Sequence, residues 1–351
     1  MSLVNDSPLC SRCFFLLLIV LLVASCKQRS ASEFVSVKGP LIALTHVRVI
    51  DGTGSSAKDD QTIIIDSGRI TAIGPASEIA VPASATTLDL SGHTALPGLV
   101  GMHNHLFYST DGGARDVLAT DSFPRLYLAS GVTTIRTAGT LNLGRDIAAK
   151  KAIDDGSLAG PKIHLSSPYV EHAAGQRFDP EKITNQINEW ADQGVRSLKI
   201  YEHVTRAEFG VVIDAAHKRG LKVTGHVCAV GFTEAAQAGI DNLEHGLAVD
   251  TEFFSRKTVD ECPNQSEWLP ALAKIDVMSE PVQRMIQELV RRRVAVTSTL
   301  SIFEAFVADK FQLDPRMQEV LGEDAYSDRR REGGSALVQD LGSDVEEGDA
   351  V

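Results

Sequence analysis

Four histidines and one lysine end apolar stretches of this chain. His103 and His105 close the run Leu99-Val100-Gly101-Met102, with Asn104 between them. Successive side chains of a β-strand point to opposite faces, so the two imidazoles share a face and Asn104 takes the other. That spacing lets two ring nitrogens reach one cation. Lys199 lies in Ser197-Leu198-Lys199-Ile200-Tyr201, His226 follows Val223-Thr224-Gly225, and His245 follows Leu243-Glu244. A single histidine at a strand end is more often a satisfied structural residue than a ligand. Three successive strands with such ends, after a His-x-His strand, point instead to a shared metal centre, because neutral imidazole is a common ligand. Lys199 has a second reading, as a lysine at a barrel rim that binds a substrate carboxylate. Tyr201 shares the facing of Lys199 and is a candidate for contact with substrate, as are His203, further along the same stretch, and His172, after the preceding strand. His46, His93, His164 and His217 show no such pattern and read as structural or surface residues.

The elements that must position these groups follow from the hydrophobic rhythm. Residues 41–94 read as short strands with tight turns such as Ser67-Gly68, a small β-sandwich module. From residue 95 the pattern changes to strand then helix. Strands are expected at 95–105, 132–137, 162–167, 196–202, 221–227, 241–246 and 294–299. Helices are expected at Pro180–Gln193 and Arg206–Arg219, each stopped by glycine. Alternating βα units imply a parallel sheet, and this many imply an α/β fold of the (β/α)8 TIM-barrel type, whose functional residues gather at the C-terminal ends of the strands. Seven of eight strands are legible. Residues 95–328 are assigned to this incomplete barrel. Residues 329–351 read as an acidic, disordered tail; Val338–Val351 holds five acidic residues and no basic one.

The chain has 351 residues, 43% of them hydrophobic, and a net charge of -12. This is enough to build a large core, and the acidic balance argues against nucleic acid as a partner. Phe14 to Ala24 is an apolar run too short to span a bilayer and suited to a signal peptide. It ends in Val23-Ala24-Ser25-Cys26 and resembles a bacterial lipobox, which implies cleavage after residue 25 and a lipid on Cys26. Residues 1–26 are thus expected to be a lipoprotein signal, residues 27–40 a tether, and the protein to be exported and membrane-anchored. Cys10 and Cys13 fall inside that signal. Cys228 and Cys262 could form a disulfide in an oxidising compartment but read better as two small buried hydrophobes.

Taken together, Val49-Ile50-Asp51-Gly52, Gly68-Arg69-Ile70, Ile73-Gly74, Leu96-Pro97-Gly98-Leu99, His103-Asn104-His105, Lys199-Ile200-Tyr201, Gly225-His226 and Glu244-His245-Gly246 resemble the amidohydrolase superfamily. The imidazolonepropionase-like and prolidase-like members are the nearest match, and the resemblance runs over roughly residues 41–325. It implies that His103 and His105 hold one divalent metal, that His226 and His245 hold a second, and that Lys199 bridges them. The metals would be zinc, with manganese or iron as alternatives. A bridging lysine makes physical sense only after modification: its neutral amine captures carbon dioxide and becomes an anionic carbamate. The implied reaction is hydrolysis of a C–N bond in a small amide, cyclic amide or dipeptide by a metal-activated water.

The resemblance also implies an aspartate at the end of an eighth strand, acting as general base and acid. After Val294–Leu300 the pattern offers helix from Ile302 to Val320, and no apolar strand ending in aspartate follows. Loss of a general base removes about 10²–10⁴ in rate, so weak turnover is expected. The alternative is an inactive or truncated amidohydrolase-like lipoprotein that binds metal or ligand without turnover.

Overall fold

A computed structural model describes residues 34–110, 115–171 and 178–305. The expectations for residues 1–26, for His172, for 329–351 and for an eighth strand lie outside these residues. The described residues divide into two units, 34–49 with 56–95, and 50–55 with 96–305.

The first unit is a mixed sheet. Strands β1 (Leu41–Val49), β2 (Lys58–Asp66), β3 (Arg69–Pro75), β4 (Thr86–Asp89) and β5 (Thr94–Ala95) take the order β3-β2-β1-β4, with β5 also on β1. β1 and β2 are antiparallel, with Ala43 opposite Ile64 and Leu44 opposite Ile63, while β4 runs parallel to β1. Val47, Val49 and Ile63 form its small buried cluster. Among the described residues this unit has a single sheet, where the sequence suggested a sandwich.

In the second unit the expected rhythm of parallel strands and covering helices is observed. β6 (Leu99–Asn104) is followed by an antiparallel hairpin, β7 (Phe107–Thr110) and β8 (Arg115–Leu118), which the sequence pattern did not reveal. Then come α1 (Ser122–Ala129), β9 (Val132–Thr137), α2 (Leu143–Asp154), β10 (Lys162–His164), β11 (Ser166–Val170), α3 (Pro180–Asp192), β12 (Ser197–Ile200) and α4 (Arg206–Lys218). β13 (Lys222–Gly225), α5 (Phe232–Ala238), β14 (Asn242–Glu244), α6 (Gln265–Leu272), α7 (Glu280–Arg292), β15 (Ala295–Thr297) and α8 (Leu300–Ala305) complete it. The strands form two parallel sheets, β10-β9-β6 and β11-β12-β13-β14-β15. β10 and β11 are consecutive pieces of one extended stretch broken at Leu165. The register places Lys199 beside Thr224 and Tyr169, and Glu244 beside Thr297. Among the described residues β6 and β15 are outer strands and no closed barrel forms.

Local chemistry explains where the helices begin. Asp179 accepts hydrogen bonds from the Glu181 and Lys182 amides at the start of α3, where Pro180 has no amide to satisfy. Thr205 and Glu208 form a capping box on α4. Ile187 and Trp190 of α3, and Phe209, Val212 and Ile213 of α4, are buried in one cluster with Leu198, Ile200, Val223 and Leu243 of the strands. Each such aliphatic or aromatic side chain contributes roughly 1.5–3 kcal/mol on leaving water.

Cys228 and Cys262 are joined by a disulfide, which corrects the expectation of two isolated thiols. The chain after β14 folds back so that their Cα atoms lie 5.0 Å apart. Thr251 Oγ1 and Lys257 Nζ both donate to the Cys228 carbonyl, at 2.7 and 2.6 Å, and hold that return. Sequence spacing carries no sign of such an approach.

Candidate active site

The C-terminal ends of β6, β12, β13 and β14 bring His103, His105, Lys199, His226 and His245 together. The imidazoles form a chain of ring contacts. Centroids are 5.1 Å apart for His103 and His105, 4.6 Å for His103 and His245, and 4.6 Å for His226 and His245. Tyr201 extends the chain at 5.0 Å from His226, and Tyr169 follows at 5.0 Å from Tyr201. Phe107 closes the other end, 4.8 Å from His105.

His245 reaches this cluster through its backbone. A regular strand would turn Glu244 and His245 to opposite faces. β14 ends at Glu244, and His245 sits in the left-handed region at φ 65°, which swings its ring toward His226 and His103. A non-glycine residue held there carries strain on the order of 1–3 kcal/mol, the kind that functional sites retain. Gly139, just past β9, is needed for a different reason. Its φ is +102°, and a Cβ there would lie 2.7 Å from the Tyr169 ring and 3.1 Å from the Lys199 stem.

Burial sets the protonation of the cluster. It pushes His105 and His226 down to about 3 and His245 down to about 2, with neighbouring positive charge adding to the effect. His103 is lowered too, by burial, against the pull of Glu244. The imidazoles are therefore neutral near pH 7. Burial also lowers Lys199 to about 8, despite the attraction of Glu244, so that a neutral amine is accessible near neutral pH. Tyr169 and Tyr201 are raised by burial and keep their hydroxyl protons.

Among the described residues no group of three His, Cys, Asp or Glu side chains is placed to hold a metal ion. The donor set nevertheless suits a cation in pairs. His103 Nδ1 donates to Glu244 Oε2 at 2.7 Å, which leaves that ring's proton off Nε2, and His245 Nδ1 shares a hydrogen bond with Thr299 Oγ1 at 2.8 Å. Buried His105 Nδ1 has no hydrogen-bond partner among the described residues. An orphaned imidazole nitrogen, a ring oriented by a carboxylate through its second nitrogen and a buried amine fit the implied metal pair.

The other sequence candidates divide. Tyr201 joins the cluster. His203 is 54% exposed, and its contact is with Glu202 Oε2 at 3.9 Å rather than with the other histidines. Sequence reasoning gave no role to Glu244, Arg136, Tyr169 or Glu202. Glu244 is fully buried and accepts from His103, Arg136, Thr224 and Asn242. Glu202 Oε1 lies 3.3 Å from His226 Nε2. The available signal was a charged residue inside an apolar strand, as in Thr134-Ile135-Arg136 and Asn242-Leu243-Glu244.

Residues 94–255 match the amidohydrolase family model, and the chain carries an amidohydrolase-family domain over that stretch. Similarity to individual proteins is more distant. The chain is 28% identical over 193 residues to the enamidase of Eubacterium barkeri, covering 52% of this chain and 48% of that protein. It is 27% identical over 225 residues to the imidazolonepropionase of Paracoccus denitrificans, covering 56% and 54%. It thus spans about half the length of these two relatives. The fold is like that of a Xaa-Pro dipeptidase crystallised with methionine in its active site, with a TM-score of 0.57 and 23% identity over 83% of this chain and 74% of that one. It is also like that of Aspergillus niger ochratoxinase, with a TM-score of 0.53 and 16% identity over 85% and 72%.

Proposed function

We propose that the chain is a metal-dependent amidohydrolase that cleaves a C–N bond in a small amide, cyclic amide or dipeptide. The observation that carries this reading is the gathering of four neutral imidazoles and a buried lysine amine at the ends of β6, β12, β13 and β14. His103 and His105 would hold one divalent ion, and His226 and His245 a second. Lys199 would stand between them as a carbamate: its amine nitrogen bonds to the carbon of carbon dioxide and sheds one proton, leaving an anion where an ammonium would repel the cations. Zinc suits nitrogen donors of this kind. The ions would supply Lewis-acid polarisation of a carbonyl and acidification of water. The chain's own residues orient the substrate. The protonated hydroxyls of Tyr201, whose ring lies against His226, and of Tyr169, whose ring lies against Tyr201, can donate to a carbonyl or carboxylate oxygen. His172 and His203 are kept as outer substrate contacts. The proteins named enamidase, imidazolonepropionase and Xaa-Pro dipeptidase motivate the substrate class.

We further propose that the protein is an exported lipoprotein carrying its lipid on Cys26. The Cys228–Cys262 disulfide supports an oxidising compartment. Among the described residues no helix is long and apolar enough to cross a membrane. A Cys26→Ala variant is expected to leave the membrane fraction, and retention there would count against the lipid anchor.

The enzymatic reading is tested with the purified full chain against N-acyl amino acids, cyclic amides and Xaa-Pro dipeptides. Hydrolysis should vanish with a chelator, return with Zn²⁺, and be lost together with bound metal in Lys199→Ala. A folded, zinc-loaded chain inert across that panel would sink it.

A further inference from the structure

One buried carboxylate has an arrangement more specific than burial requires. Glu244 uses its two oxygens unequally. Oε1 accepts from the Arg136 guanidinium, from Thr224 Oγ1 and, at 2.9 Å, from Asn242 Nδ2. Oε2 accepts from His103 Nδ1 at 2.7 Å. The donors are themselves tied down. Arg136 Nε donates to the Met102 carbonyl at 2.8 Å, one residue from His103. Thr297 Oγ1 donates to Asn242 Oδ1 at 3.1 Å, and the acceptor-only carboxylate draws the NH2 end of that amide. The network therefore ties together β6, β9, β13, β14 and β15.

We propose that Glu244, anchored by Arg136, is a positioning residue that holds His103 as its Nδ1–H tautomer and so keeps the Nε2 lone pair aimed into the histidine cluster. The inference rests on the metal-centre reading given above. Three donors crowd Oε1, so that atom must stay an acceptor. The other terminus then dictates what His103 Nδ1 can be. With a carboxylate it must be N–H. In Glu244→Gln the amide oxygen stays with Arg136, Thr224 and Asn242, and the amide NH2 faces His103. The imidazole must then accept at Nδ1 and carry its proton on Nε2, where it blocks a cation. Shape and volume are preserved while the tautomer is reversed.

Two measurements decide the matter. The first is ¹⁵N NMR of the histidine-labelled, metal-free full chain, with His103 assigned by its loss in His103→Ala. The wild type should show a protonated Nδ1 and a bare Nε2, and Glu244→Gln the reverse. The second is Zn²⁺ affinity by equilibrium competition, together with the visible spectrum of the Co²⁺-loaded chain. Glu244→Gln should weaken Zn²⁺ by about 10–100-fold, as loss of such oriented hydrogen bonds does elsewhere, and shift the Co²⁺ bands. A role confined to stability would lower the melting temperature while leaving tautomer and spectrum unchanged. The proposal is overturned by a wild-type His103 protonated on Nε2, a reading that holds even if Glu244→Gln does not fold. An unchanged tautomer or unchanged Zn²⁺ affinity in Glu244→Gln overturns it as well. A wild-type chain that takes up no Zn²⁺ would instead overturn the metal-centre reading, and the metal-free spectrum would still decide what Glu244 does to His103.

Discussion

The centre of the parallel sheet and its flank are built from the same kinds of residue and end in opposite states. In β12, Leu198 and Ile200 have no exposed surface. In β6, Leu99, Val100 and Met102 are 61%, 58% and 46% exposed. Val296 of β15, another outer strand, is 48% exposed. A parallel strand is stable when both faces are covered, and only the central strands have neighbours and helices on every side. The candidate site straddles the two regimes. Lys199 and His226 stand on strands locked by packing. His103 and His105 stand on the flank, where the Glu244–Arg136 hydrogen bonds supply the order that packing does not.

The largest test of this contrast is a truncation at the centre. Ile200→Ala is expected to destabilise the fold by about 2–5 kcal/mol, measured by denaturant unfolding. An effect near zero would mean that the centre is no better packed than the flank. Next comes the covalent tie beside His226. Replacing both Cys228 and Cys262 by serine is expected to lose about 2–4 kcal/mol, and a reductant should reproduce the loss in the wild type and leave the variant unmoved.

A smaller effect concerns Asp250, which is buried, accepts from the Glu252 and Phe232 amides, and has one oxygen with no hydrogen-bond partner among the described residues. Burial, with the charge of Glu252, raises its carboxyl to about 7. An unfolded aspartate titrates near about 3.9. Between those values the folded chain binds a proton that the unfolded chain has released, so stability falls as pH rises through about 4 to 7. Asp250→Asn should remove that slope, leaving stability little changed at pH 4 and raising it by about 1–3 kcal/mol at pH 8. A slope that persists in the variant would assign it to another group. The smallest change is expected on the flank: Val100→Thr should lie within about 0.5 kcal/mol of wild type. A loss comparable to that of Ile200→Ala would show that β6 is covered in solution.

Much of this arrangement was legible in the sequence because it depends on local pattern. Apolar runs located β6, β9, β10, β12, β13, β14 and β15, and an apolar face with a glycine stop located α3 and α4. The alternation rule put His103 and His105 on one face, and the ends of β12, β13 and β14 supplied the other three groups. What stayed hidden depends on approach in space. Nothing near Cys228 announces Cys262. Nothing in Arg136 announces a partner 108 residues away. The left-handed turn that brings His245 beside Glu244's network contradicts strand alternation, and only the folded backbone reveals it. His203, placed by proximity in sequence, turned outward because it lies beyond the end of β12, where the alternation rule no longer governs its direction.

The disulfide has one more consequence, for the wholeness of the chain. Residues 228 and 262 enclose a covalent ring that contains α5, β14 and His245. A protease that cuts once inside this ring produces two polypeptides that still travel as one molecule. Such a nick would pass unseen on a non-denaturing column or an unreduced gel, and the fragments would separate only when the bridge is opened.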